Sequence, residues 1–228
     1  MQHRHTGTPA NLDRATAKAT SKTADIYLFG VIGGETANLD QFKRNLDAAK
    51  KADTINVYIN TVGGAFNDGL PIYNLLEQHP AKITVKIMGY CLSIGSVIML
   101  AADKIECAAN GMIMIHRAQG FTYGDAGDHA KTATVLQKHE AAIIPHYASK
   151  LRKTPNEVQA LLNAETWYTA PEAKAAGLID AIIGSVDPDT ASDGAGMTGS
   201  GRDIINAYKC KPGTLCLPHS GQGRGHYS

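Results

Sequence analysis

What most restricts the fold of this chain is an alternation of two residue periods. Between Ala24 and Ile183, short runs rich in branched residues take turns with stretches of helical spacing. DIYLFGVIG, TINVYIN and KITVKIMG have the composition of strands. NLDQFKRNLDAAKKA and NDGLPIYNLLEQH lie between them and read as helices, the first opening on an Asn38…Gln41 capping pair. Strands joined through helices pair in parallel, because each helix carries the chain back to the edge at which the previous strand began. The expected fold is therefore α/β, with repeated β-α-β units building a largely parallel sheet.

Further along, KIECAA and GMIMIH read as a short pair of strands. The stretch from about Asp128 to Arg152 is helical in spacing. As a single helix it would extend on the order of 37 Å at ~1.5 Å per residue, more than the core requires, so part of it would project toward another subunit. Two helices broken near Pro145 fit equally well, since proline removes a donor and kinks its helix. Thr154-Pro-Asn-Glu157 and Thr169-Ala-Pro-Glu172 each carry the hydroxyl and carboxylate of a capping box, and LIDAII reads as a last short strand.

The two ends have a different character. Residues 1–23 hold four Lys/Arg against one Asp with no apolar period, which reads as a flexible arm. Residues 184–228 are Gly/Ser-rich, nine of 45 being glycine, too little apolar surface to order a tail by itself. Residues 24–183 are then the folded domain. Cys210, Cys216, His219 and His226 in the tail follow C-x5-C-x2-H-x6-H, which departs from the close ligand pairs of zinc sites, so no metal is assigned. Cys91 and Cys107 sit in apolar runs as reduced core thiols do, and no signal-like or membrane-length apolar run is present, so the expected location is cytoplasmic. With 22 basic and 21 acidic residues, no global field favours nucleic acid or an anionic membrane.

In GYCLSIGSVIML, a hydroxyl stands at the start of an apolar helix expected from about Leu92 to Ala102. Ser93 falls in its first turn, where amides are unpaired and the dipole would favour an oxyanion. A serine there is commonly a helix cap; with a base to take its proton it is a nucleophile. Ser96, one turn on, is the weaker candidate. The context C-L-S-I-G lacks the first glycine of a G-x-S-x-G elbow, which argues against an α/β-hydrolase. His116 closes the apolar strand MIMI, so the core fixes its backbone, although a histidine in such a place is commonly structural. His129, His139 and His146 read as solvated or interface groups in the long helical stretch. Thr61-Val62-Gly63-Gly64 joins a strand to a helix; its glycines either turn an N–H toward a ligand or simply make the turn tight.

TVGGAFNDGLPIYNLL, GYCLSIGSVIMLAA, MIMIHRAQG and ETWYTAPEAKAAGLID occur in the order and approximate spacing of the Clp protease proteolytic subunit, ClpP. The chain resembles this family, and within it the phage head-maturation proteases, from about Ala24 to Ile183. The resemblance implies a ClpP/crotonase-like fold with a protruding helical segment, and a serine endopeptidase that needs no cofactor. It makes Ser93 the nucleophile, His116 the general base and then acid, and Glu165 the acidic member of a triad. The amides of Gly64 and Ile94 match the oxyanion hole. Homo-oligomeric rings follow, single or stacked, with Asp128–Arg152 between rings and polypeptides as substrates: capsid or scaffold precursors, or peptides in general degradation. Departures from the family pattern are Glu165 where ClpP usually has aspartate, and Thr61-Val62 where it has Ser-Pro. The arm does not resemble the loops that engage an unfoldase, so an ATPase partner is not implied. Two rivals share the architecture: a crotonase-type acyl-CoA enzyme, which has no need of hydroxyl, imidazole and carboxylate together, and a ring-forming assembly factor without cleavage.

Overall fold

A computed structural model of the chain describes residues 23–184. Except for Thr23 and Gly184, the arm and the tail with its Cys and His residues lie outside the described residues. The strands are β1 (Thr23–Phe29), β2 (Thr54–Thr61), β3 (Lys82–Leu92), β4 (Lys104–Ala108), β5 (Met112–Ile115), β6 (Thr166–Thr169) and β7 (Ala181–Ile183). The helices are α1 (Leu39–Ala48), α2 (Phe66–Glu77), α3 (Ile94–Ile98), α4 (Ala126–Leu151), α5 (Pro155–Asn163) and α6 (Ala170–Ala175). Strands β1-β2-β3-β4-β7 pair in that order, all in parallel. This is the mixed α/β architecture the alternation implies.

Each of the first three strands buries every second residue. Ile26 and Leu28, Ile55, Val57 and Ile59, and Ile83, Val85 and Ile87 form the core under the helices. The opposite face keeps Tyr27, Phe29 and Met88 exposed, with Tyr27 stacked on Tyr58 at 4.8 Å. The alternation within parallel strands thus records a sheet covered by helices on one side among the described residues.

Strand β3 bears most directly on the site. It pairs with β4 through Thr84–Ile87, then with β5 through Tyr90–Leu92. The strand therefore does not end at Gly89 as the sequence suggests: a new neighbour extends it to Leu92. The helix expected over Leu92–Ala102 is correspondingly shorter, α3 being followed by a 3-10 turn at Met99–Ala101. A bulge opposite Asn60 separates the two halves of β3, and the Asn60 side-chain oxygen accepts the Tyr90 N–H at 2.9 Å.

Strand β6, which the sequence reading did not separate from its capping motif, runs antiparallel to β5. The caps at Asn38, Thr154 and Thr169 form as expected, the last two as complete capping boxes. Of the two readings around Pro145, one continuous helix is found. Pro145 and Ala141, whose carbonyl the missing N–H would have bonded, are both exposed, so water can replace the lost bond. Helix α4 buries Glu140, Ile143, Tyr147 and Leu151 and none of its residues before Glu140. Its first half projects. No described helix is long and apolar enough to cross a membrane.

Candidate active site

Ser93 stands at the corner between β3 and α3 with φ 55° and ψ −127°, in the half of the backbone map that normally requires glycine. Holding a serine there costs about 1–3 kcal/mol, so its surroundings must impose the conformation. They bond it at both ends. Its N–H donates to the Met114 carbonyl on β5 at 2.9 Å, and its carbonyl accepts the Ser96 N–H at 2.9 Å. The side chain makes no capping bond to α3. Its hydroxyl lies instead 2.7 Å from Nε2 of His116.

The same strand pair that holds the Ser93 amide delivers the imidazole. His116 follows β5 directly, and Met114, two residues earlier, is the acceptor for Ser93. Burial holds the imidazole below the ordinary histidine value, while the Glu165 charge acts in the opposite direction. It is therefore neutral at pH 7. With Nε2 facing a hydroxyl donor, the ring proton belongs on Nδ1.

Glu165 reaches the pocket through the antiparallel ladder. Ile115 pairs with Thr166 as the last pair of the ladder, so His116 and Glu165 are the residues that leave it at the same end. The residue has φ 51° and closes the turn after α5, its N–H donating to the Leu162 carbonyl at 3.2 Å. No hydrogen bond joins its carboxylate to the imidazole among the described residues; the connection is through charge and shared lining of the cavity.

The glycine pair completes the near wall. Gly63 lies against Ser93: a Cβ at Gly63 would stand 3.1 Å from the serine Oγ. The Thr61 hydroxyl accepts the Gly63 N–H at 3.0 Å and donates to the Gly30 carbonyl at 2.6 Å. Ile32 clamps the other side, its N–H bonding the Gly63 carbonyl and its carbonyl the Ala65 N–H, both at 2.8 Å. Gly64 has φ 149°, and a Cβ there would collide with the Ile32 carbonyl. The amides of Gly64 and Ile94 donate to no acceptor among the described residues, while those of Gly63, Ala65 and Ser93 beside them are bonded.

These groups line a cavity of about 650 Å³ whose other walls are mainly apolar, including Met112, Met114, Val97, Leu136, Ile143 and Trp167. The sequence reading missed several supports. Ser96 is fully buried and bonded, so it is not a competing nucleophile. Glu140, buried on α4, accepts from Arg117 Nε at 2.9 Å and so ties the residue after His116 to the long helix. Helical spacing of Glu140, Ile143, Tyr147 and Leu151 signals an inward stripe; nothing local signals what each meets.

Fold and site together describe an α/β protein whose strand-to-helix elbow presents a hydroxyl to a neutral imidazole beside two unbonded amides. The family model of the Clp protease matches residues 15–186. An ATP-dependent Clp protease proteolytic subunit of Bacteroides fragilis is 30% identical over 161 residues, covering 69% of this chain and 78% of that protein. ATP-dependent Clp protease proteolytic subunit 1 of Salinibacter ruber is 28% identical over 143 residues, or 60% of each chain. The chain belongs to the Clp protease family.

Proposed function

We propose that this protein is a serine endopeptidase in which Ser93, His116 and Glu165 act as nucleophile, base and orienting carboxylate. The observation that carries the reading is the 2.7 Å contact between Ser93 Oγ and His116 Nε2. As Oγ attacks a peptide carbonyl carbon, Nε2 takes its proton; the N–H groups of Gly64 and Ile94 receive the oxyanion. Collapse breaks the C–N bond, and the imidazolium returns the proton to the leaving amine. Water, deprotonated by the same imidazole, then hydrolyses the acyl-enzyme. Glu165 stabilises the imidazolium by its charge, and the low basicity of buried His116 keeps it in the accepting form at neutral pH.

The apolar cavity beside Ser93 suits a large apolar side chain of a polypeptide substrate. The resemblance to phage head-maturation proteases supports capsid or scaffold precursors as that substrate. Homo-oligomeric rings are part of the same reading, with the projecting half of α4 and the uncovered face around Tyr27 and Phe29 as the surfaces available for subunit contact.

Labelling with a fluorophosphonate followed by peptide mapping tests the core of this proposal. The expected adduct lies on Ser93 and is absent from Ser93→Ala. A protein that stays unlabelled yet binds acyl-CoA belongs instead to the crotonase-type chemistry.

A further inference from the structure

From the Ser93 carbonyl into α4 runs a line of hydroxyls that the proposed chemistry does not consume. Ser96 on α3 is 0% exposed, and its Oγ donates to the Ser93 carbonyl at 2.6 Å. Tyr147, 1% exposed on the buried half of α4, places its phenol oxygen 2.6 Å from that same Oγ. A serine hydroxyl has a single proton, and here it is committed to the carbonyl, so the phenol must be the donor. The order is Tyr147 O–H to Ser96 O–H to Ser93 C=O. Burial raises the phenol above its ordinary value, so the donor stays protonated at working pH.

The far end of this line is the Ser93 carbonyl, which shares a peptide unit with the Ile94 N–H. That unit is planar and trans, so its oxygen and its hydrogen point in opposite directions. To fix the oxygen is to aim the hydrogen. Two donors from Ser96, backbone at 2.9 Å and hydroxyl at 2.6 Å, hold the oxygen toward the protein interior. The Ile94 N–H is turned the other way and donates to no acceptor among the described residues.

We propose that Ser96 and Tyr147 are positioning residues that aim the Ile94 N–H at the oxyanion. Hydrogen bonds in series on the carbonyl also polarise the peptide and strengthen its N–H as a donor. The inference rests on the serine-endopeptidase reading above and extends it to two residues that do not touch the reacting atoms, Ser96 lying behind the cavity and Tyr147 contributing to its wall. The competing account is that the two hydroxyls merely satisfy one another in the core. It predicts a loss of stability on mutation with no selective effect on turnover.

The test compares the full chain with Ser96→Ala, Tyr147→Phe and the double variant. Four quantities are measured: kcat and KM on a fluorogenic peptide with a large apolar residue before the scissile bond, affinity for the matching peptide aldehyde, and Tm. The aldehyde adds to Ser93 as a tetrahedral oxyanion, so it reports the donor directly. Ser96→Ala should lower kcat and aldehyde affinity together by about tenfold to a hundredfold, short of the loss of a whole oxyanion donor, with KM nearly unchanged. Tyr147→Phe keeps the ring volume and should lower both by about threefold, since one link of the line remains. In Ser96→Ala the phenol is left unpaired and Tm falls; in the double variant neither hydroxyl remains, so Tm recovers while kcat stays low. Recovery of kcat together with Tm would overturn the proposal, as would Ser96→Ala with unchanged kcat and aldehyde affinity. Either result leaves the parent reading standing if wild type turns over and Ser93→Ala does not. A wild type that neither cleaves nor takes the fluorophosphonate overturns both.

Discussion

Two corners of the same cavity are built on positive φ without glycine, and they are held very differently. At Ser93 the N–H, the carbonyl and the hydroxyl each have a partner at 2.9 Å or less. At Glu165 the backbone N–H is bonded at 3.2 Å to its own preceding helix turn, and the carboxylate makes no bond to the imidazole. Strain at the first corner is imposed from three elements, β5, α3 and α4. Strain at the second is the local closure of α5 into β6. Ser93 and His116 are thus set rigidly against each other within the chain, while the Glu165 carboxylate faces the imidazole without a bond, where a side chain one methylene longer than aspartate has room to adjust.

The largest expected effect breaks the comparison at its rigid end. Ser93→Ala removes the proposed nucleophile and should lower kcat by about 10⁴-fold or more, measured on the fluorogenic peptide, because the parts of such a constellation fail as a unit. Turnover by that variant within tenfold of wild type would remove Ser93 from the chemistry. Next is Gly64→Ala. The added Cβ meets the Ile32 carbonyl, and the loop that holds the Gly64 amide must shift. A fall of about 10²–10³-fold in kcat is expected, the usual cost of one oxyanion donor, together with a lower Tm.

How much of this was legible in the sequence follows the same division between local and distant causes. The β-α-β alternation and the caps at Asn38, Thr154 and Thr169 were readable because each is decided within a few residues. Ser93 and His116 were visible individually, yet each alone suited an ordinary structural role; four family-like blocks in order set them together. The extension of β3 past Gly89 and the existence of β6 were not readable, since both depend on β5 arriving as a neighbour. Tyr147 lies 51 positions from Ser96, and no pattern at either site names the other.

A smaller effect sharpens the looser corner. Glu165→Gln should lower kcat by about tenfold to a hundredfold, less than the loss of Ser93, since the carboxylate is not hydrogen-bonded to the ring it supports. The pH profile fixes the sign. Burial already lowers the His116 pKa and the Glu165 charge partly raises it, so removing that charge lowers it further. The acid limb of kcat/KM should start below the ordinary histidine value in wild type and move to still lower pH in the variant. Stability follows the same linkage: the folded state binds the His116 proton less readily than the unfolded chain, so stability is lost as pH falls below about 6.5. A limb that moves to higher pH in Glu165→Gln would contradict the electrostatic role.

The smallest effect separates backbone strain from chemistry. Besides Ser93 and Glu165, Arg152 at the end of α4 is the one other non-glycine residue with positive φ among the described residues, at 53°. It is exposed and lies at the C-cap, where a left-handed residue ends a helix and glycine is favoured. Arg152→Gly should relieve the left-handed cost at that cap, and Glu165→Gly should relieve the same cost in its turn. Each gain is reduced by the freer unfolded chain, leaving about 0.5 kcal/mol or less. The two variants should thus rise in Tm by similar small amounts, while only Glu165→Gly loses turnover, through its missing carboxylate. If Glu165→Gly instead loses stability where Arg152→Gly gains it, the carboxylate is a structural anchor of the β6 turn, and the second corner is held as firmly as the first.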